Sequence, residues 1–327
     1  MREITLGEAI LEALDEEMGR DERVFIMGED VGRFGMVYVA NPRLYQKYGD
    51  ERVRDTPLSE NAIIGFALGA AITGMRPVAE IMFIDLTPCA MEMIVNQVAK
   101  IRYMFGGNIQ VPLVILTTVS GLRRTAAQHS QHLEAWFAAI PGLKVAMPST
   151  PYAAKGLLKT AIRENNPVMI INHQMLLRMG AKGAVPEEEY LLPFGQAEVV
   201  REGKDLTVVA TSLMVSEALK AAQEVEKKGI QVEVIDPRTL SPLDKGTILA
   251  SVKKTGKLLV VHQACKTGGF GGEIAAIVAE EGFDSLVSPI RRLGAYDVPV
   301  PFSPVMEDFV IPNQQKIVKE ILNMVEK

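Results

Sequence analysis

The sequence is poor in the features that mark secreted, membrane-spanning or nucleic-acid-binding chains. Its 327 residues hold only two cysteines, Cys89 and Cys265, far apart in sequence, which excludes a disulfide scaffold. The start, Met1-Arg2-Glu3-Ile4-Thr5, lacks the basic-then-apolar pattern of a signal peptide, so a reducing, cytoplasmic setting is expected. No apolar run approaches the roughly 20 residues needed to cross a bilayer. The longest, Ile63 to Met75, is broken by glycine and threonine and ends at Arg76, so a buried helix is expected and no membrane contact. Charge of one sign is scarce too: 35 basic against 40 acidic residues leave a net charge of −5, which argues against nucleic acid as a general partner. Neither a low-complexity tract nor a repeat of roughly 20 to 50 residues is present.

What remains is the composition of a folded globular protein, 48% apolar and 23% charged. At ~150 residues per domain, the length suits about two domains. Thr5-Leu6-Gly7-Glu8 has the form of a capping box, and Ala9, Ile10, Leu11, Leu14 and Met18 follow at helical spacing. Short apolar runs then recur at 24–27, 78–84, 111–119, 143–147 and 168–171, separated by helical stretches at 59–74, 89–104, 131–139 and 151–164. This alternation predicts an α/β fold with a mostly parallel sheet and helices on both faces. Between Met179 and Pro193 the pattern stops in a polar connection, and strand-like runs restart at 206–210, 232–235 and 258–262, alternating with helices at 215–228, 242–253 and 272–281. We expect a domain over 1–185, a linker over 186–198 and a smaller α/β domain over 199–327.

Three local patterns invite chemistry, and each has a plain alternative. Gly268-Gly269-Phe270-Gly271-Gly272 sits between a strand and a helix, where amides can hold a phosphate, but Ile274 stands where a dinucleotide fingerprint needs glycine. A tight turn that lets the helix pack closely is the simpler reading. His129 and His132 have metal-ligand spacing without a third ligand nearby, and a loop histidine is also a proton shuttle. In Asp55-Thr56-Pro57-Leu58-Ser59-Glu60, Ser59 is a candidate N-cap and Glu60 falls in the first turn, where the helix dipole favours a carboxylate. Gly65, Gly69 and Ala70 form a small-residue ridge on that helix, suited to close approach by another helix, as between subunits.

Taken together and in order, these segments resemble one family over nearly the whole chain: the β subunit of the thiamine-diphosphate-dependent E1 component of 2-oxoacid dehydrogenases, the pyruvate, branched-chain and acetoin group. The matching segments are Gly28-Glu29-Asp30-Val31-Gly32, Asp55 to Glu60 with the Gly-Phe-Ala-Leu-Gly-Ala-Ala helix, Ala127-Gln128-His129-Ser130-Gln131, Pro141 to Val145, Ala161 to Pro167, Asp236 to Leu240, and Gly294 to Pro299. The resemblance implies a pyrimidine-binding domain followed by a transketolase-type C-terminal domain.

It also implies roles for residues. Glu60 would hydrogen-bond the cofactor's aminopyrimidine, His129 would supply a proton during acyl transfer to a lipoyl group, and Glu29 would be a second active-site carboxylate. Leu58 and Met82 would contribute to the pyrimidine pocket, with Leu86 where relatives carry a stacking aromatic. A structural potassium ion would take oxygens from Leu113, Ala161, Ile162, Glu164 and Asn166, the last acid being Asp in relatives. Arg123 and Arg124 stand where relatives have small residues, either as solvated loop charges or as a guanidinium fork for substrate. Asp297 would meet a basic residue of the E2 acyltransferase, or else simply serve its turn.

The diphosphate-binding Gly-Asp-Gly segment of the class is absent, Gly49-Asp50-Glu51 being the closest string. The Mg²⁺ and diphosphate ligands would then lie on an α subunit, giving an α2β2 heterotetramer. The expected reaction is oxidative decarboxylation of a 2-oxo acid, with pyruvate the first choice, and acyl transfer to E2. Acetoin dehydrogenase, half of a split transketolase acting on sugar phosphates, and a noncatalytic dinucleotide-binding protein are the competing readings.

Overall fold

The computed structural model describes residues 1–36, 39, 41–178, 180 and 182–325. Met179 and Ala181, in the expected polar connection, lie outside the described residues. The chain divides into two compact units, Met1–Val119 with Trp136–Phe194, and Ser120–Ala135 with Gly195–Lys327. The segment bearing His129 is thus counted with the second unit.

In the first unit six strands run in the order Lys144–Ala146, Val168–His173, Val114–Val119, Arg76–Ile81, Val24–Gly28 and Val53–Asp55. Every neighbouring pair among them is parallel. Such strands must be apolar on both faces, and the runs at 24–28, 114–119 and 168–173 are buried throughout. The first helix, Leu6–Arg20, begins as expected: Thr5 accepts the Glu8 amide and Glu8 reaches back to the Thr5 amide. It packs on Pro151–Arg163, where buried Lys155 and Lys159 are paired with Glu16 at 2.6 and 2.5 Å.

Two expectations are corrected here. The helix expected over 89–104 is a 3₁₀ segment at Ile84–Ala90, a π-helical turn at Met93–Val98 and an α turn at Ile101–Met104. The ladder slips because the Ala99 amide reaches back five residues to Ile94 (3.1 Å), whereas Lys100 reaches back three to Gln97 (3.2 Å). The connection after 179 also contains a strand, Lys182–Val185, antiparallel to Arg2–Thr5. Its partner lies at the other end of the unit's sequence, so local polarity gave no sign of it.

In the second unit five strands run Arg291–Ala295, Leu258–Cys265, Leu206–Ala210, Val232–Asp236 and Glu198–Arg201, the last pair antiparallel and the others parallel. The glycine cluster at 268–272 is filled by the protein itself. A Cβ on Gly271 would lie 2.5 Å from His262 Nε2, and one on Gly269 would lie 2.4 Å from the Cys265 carbonyl oxygen. The turn accommodates a buried imidazole, whose pKa burial pushes down. Gly271→Ala therefore lowers unfolding stability by ~1–3 kcal/mol through overpacking, read as the denaturant midpoint. An unchanged midpoint would show that the ring has room to move.

No helix among the described residues is long and apolar enough to cross a membrane.

Candidate active site

The parallel pairing of Val24–Gly28 with Val53–Asp55 brings two motif segments together, with Gly28 opposite Asp55. The Asp55 carboxylate accepts the Gly32 amide at 2.6 Å and the Arg33 amide at 3.3 Å, and the Thr56 amide donates to the Gly28 carbonyl at 2.9 Å. These bonds tie the 28–33 loop to the chain entering the helix Glu60–Ile72.

Glu60 is the first residue of that helix and is half-buried. Ser59 occupies the N-cap position but makes no side-chain cap bond, so the carboxylate of Glu60 is the acidic group at this helix start. Glu29 is 7% exposed, and its Oε1 is buried without a partner among the described residues. Burial first, then the charge of Glu60, raises the Glu29 pKa. The two carboxyls singled out in the sequence are thus electrostatic neighbours. Leu58 stands 82% exposed. Met82 and Leu86 are half-buried, and the Met82 carbonyl accepts the Thr118 hydroxyl at 2.6 Å.

A cavity of about 930 Å³ lies along the same helix, lined by Thr56, Pro57, Ala62, Phe66 and Ala70 among others. Glu60 and Glu29 do not line it. Residues 62, 66 and 70 share one helical stripe, whereas Ile64, Ala67 and Ala71, on the stripe of Glu60, are buried. The cavity is therefore a groove on the helix flank, separate from the carboxyl pair.

His129 lies in the second unit, half-buried, in a loop of unusual backbone. Leu122, Arg124 and Ala126 all have φ of 61°, a left-handed conformation unfavourable for residues with a Cβ. Buried Glu307 holds the loop: its carboxylate accepts the Leu122 amide at 2.8 Å, the Arg124 amide at 3.2 Å and Arg124 Nη1 at 2.6 Å. Asp308 takes the other arm of the Arg124 guanidinium at 2.9 Å. The Thr125 hydroxyl bonds to the His129 carbonyl at 2.8 Å and to Ser130 at 2.7 Å. His132 Nε2 is 2.5 Å from the Ser120 carbonyl. Its Nδ1 is 3.7 Å from Glu134, whose pKa is raised by burial.

At the expected cation segment, Arg76 donates to the carbonyls of Ile162 (2.7 Å) and Glu164 (3.1 Å), and Arg102 to Asn166 Oδ1 (2.7 Å). The Leu113 and Ala161 carbonyls accept the amides of Val168 (3.0 Å) and Glu164 (3.2 Å). The Glu164 carboxylate pairs with Lys144 and accepts Asn166 Nδ2 at 2.9 Å. Asp297, exposed, accepts the Thr267 hydroxyl at 2.7 Å, and this bond lowers its pKa.

Sequence reasoning missed Glu80, Glu307 and the pair Glu134 and His262. Glu80 had a signal, an acid inside an apolar strand; Glu307 had none, since its partners lie more than 180 residues away.

The transketolase pyrimidine-binding domain family matches residues 2–179, and the transketolase C-terminal domain family matches residues 195–317. The chain is 47% identical to the 2-oxoisovalerate dehydrogenase subunit beta of Bacillus subtilis, over 95% of each chain. It is also 47% identical to the acetoin:2,6-dichlorophenolindophenol oxidoreductase subunit beta of Cupriavidus necator, over 97% of this chain and 96% of that one. Identity to the pyruvate dehydrogenase E1 component subunit beta of Gracilaria tenuistipitata is 44%, over 99% and 100%. A solved split-gene transketolase, described as an inactive beta4 tetramer, shares the fold, with a TM-score of 0.81 at 23% identity over 99% of both chains. With both domain families matched and three dehydrogenase or oxidoreductase β subunits aligned along nearly their whole length, this chain belongs to the E1 β-subunit family of 2-oxoacid dehydrogenases.

Proposed function

We propose that this chain supplies the pyrimidine side of a thiamine-diphosphate site and works only with an α subunit that holds the diphosphate and Mg²⁺. The observation that carries this reading is the helix-start carboxylate of Glu60 coupled to the buried carboxyl of Glu29, whose Oε1 has no hydrogen-bond partner among the described residues. Such a pair suits a group that needs an acid against a ring nitrogen and a second acid to exchange the proton. Apolar Leu58, Met82 and Leu86 suit the ring's faces. The cofactor supplies an electron sink for cleavage of the bond next to a ketone. Glu60 holds the ring proton, Glu29 raises the readiness of that pair to share it, and His129 delivers a proton to the acyl acceptor.

Partner surfaces support an α2β2 assembly. The helix Glu60–Ile72 is apolar nearly all round, yet Phe66 is 73% exposed and a Cβ on Gly69 would meet nothing within 4 Å. Around Asp297, the side chains of Tyr296, Phe302, Val305 and Phe309 are exposed, an apolar margin suited to a second β subunit or to E2. Arg124, held by Glu307 and Asp308, acts within the loop; Arg123 remains the candidate for a substrate carboxylate.

A structural potassium ion would take the oxygens of Leu113, Ala161, Ile162, Glu164 and Asn166 and share them with the amides and guanidinium groups already bonded there, since an sp² oxygen that accepts one hydrogen bond keeps a second lone pair. Replacing K⁺ by tetramethylammonium at constant ionic strength should lower the thermal midpoint, since ligand at 100 times Kd adds ~2.7 kcal/mol. Equal midpoints in the two salts would remove the ion from the account.

The function is tested by co-expression with the α subunit and a scan of pyruvate, branched-chain 2-oxo acids, acetoin and ketose phosphates against an artificial electron acceptor. We expect turnover of 2-oxo acids, pyruvate first, that requires both subunits and thiamine diphosphate. Turnover of sugar phosphates alone, or full activity without α, would overturn the reading.

A further inference from the structure

Glu80 has no part in the chemistry described so far, and ordinary packing does not account for it. It sits in the apolar strand Arg76–Ile81, 4% exposed, with Oε2 unpartnered among the described residues. An acid buried without a hydrogen bond destabilises the fold relative to an apolar residue of similar volume. Its surroundings tie it to the active-site carboxyls. The parallel register places Gly28 beside Glu80, and a Cβ on Gly28 would lie 2.8 Å from the Glu80 carbonyl oxygen. Only a glycine permits this approach, and the next residue is Glu29, itself buried with one oxygen unpartnered among the described residues. Glu29 is the charged group that bears on Glu80, while Glu60 and Asp30 bear on Glu29.

We propose that Glu80 is a positioning residue: a buried acid in register with Gly28, next to Glu29, that holds a proton and so keeps the buried Glu29–Glu80 pair to one negative charge, so that Glu29 can exchange a proton with Glu60. The inference rests on the reading of Glu60 as the acid against the cofactor ring. Burial first, then Glu29, pushes the Glu80 pKa up to about 8, so Glu80 keeps its proton at neutral pH. Above that pH a second carboxylate forms beside Glu29, in a site where like charges cannot both be accommodated, and the cluster loses its function. The break belongs to the coupled cluster rather than to one residue.

The experiment compares Glu80→Gln with the parent in the complete α/β assembly, reading kcat/KM from pH 6 to 9.5 and denaturant stability over the same range. With a parent break near pH 8, the ratio of E80Q to parent kcat/KM rises about tenfold between pH 7 and 9. The stability readout has a definite sign. The Glu80 pKa in the folded protein lies above the ordinary 4.5, so the parent loses stability relative to E80Q as pH rises towards about 8, and the gap is constant above it.

A ratio that does not change with pH overturns the proposal and leaves Glu60 untouched. A parent without thiamine-dependent turnover overturns both. Should E80Q fail to assemble, Glu80→Asp in [¹³C]glutamate-labelled protein serves instead. It should remove a protonated-carboxyl infrared band that, in the parent, vanishes with a midpoint near 8. Persistence of that band in E80D overturns the proposal.

Discussion

Glu60→Gln lowers the thiamine-dependent kcat of the assembled enzyme by about 10²–10⁴-fold, the range for loss of a positioned acid–base group. Glutamine keeps the length and shape of the side chain and one hydrogen bond to a ring nitrogen, but it cannot pass a proton. Because Glu60 is half-buried at the first position of an exposed helix start, the change should leave the thermal midpoint nearly unaltered. The loss therefore falls on kcat with folding intact, and cofactor affinity, read separately by fluorescence quenching, falls less than turnover. Burial raises the Glu29 pKa most, and the variant removes the Glu60 charge that raises it further, so any residual activity should show its acidic limb displaced to lower pH. A variant retaining more than a tenth of the parent kcat would take Glu60 out of the chemistry.

Glu307→Ala has a large expected effect on stability, a loss of ~1.5–3 kcal/mol, the scale of hydrogen bonds to a charged acceptor, since Arg124 is about a third exposed and keeps Asp308. Three donors converge on that carboxylate, and its removal leaves the Leu122 and Arg124 amides and the Arg124 guanidinium without it. Residues at 122, 124 and 126 hold left-handed backbone, a strained conformation that relaxes once the clamp is gone and offsets part of the loss while the loop changes shape. His129 travels on the same loop, through the Thr125 hydroxyl on its carbonyl. The variant should thus lose acyl transfer to lipoyl acceptor more than it loses reduction of an artificial acceptor, in a protein with a lowered midpoint. Glu307→Gln, which keeps an acceptor oxygen, should recover part of the stability. Equal loss of both activities, with an unchanged midpoint, would separate Glu307 from the loop.

Much of the fold was legible because local signals and tertiary context agreed. The capping box at Thr5 and Glu8 formed as its pattern predicted, and the apolar runs at 24–27 and 168–171 became the strands Val24–Gly28 and Val168–His173. The helix expected over 59–74 formed at 60–72, but its hydropathy concealed that one flank is open, because an apolar run does not say which neighbours are present. The segment at 89–104 failed as a continuous helix because its turns slip between five-residue and three-residue hydrogen bonds, which composition does not encode.

What the sequence alone determined is the alternation of elements and, by its ordered motifs, the family with Glu60, Glu29 and His129 as its candidate groups. Tertiary structure alone decided which groups face one another. Strand register set Glu80 beside Gly28, a segment nearly two hundred residues downstream supplied Glu307 to the His129 loop, and His262 filled the space between the glycines that the sequence pattern offered to a phosphate. The reason is physical: periodicity follows from contacts between near neighbours in the chain, whereas burial, charge coupling and loop strain depend on residues that only folding brings within a few ångströms.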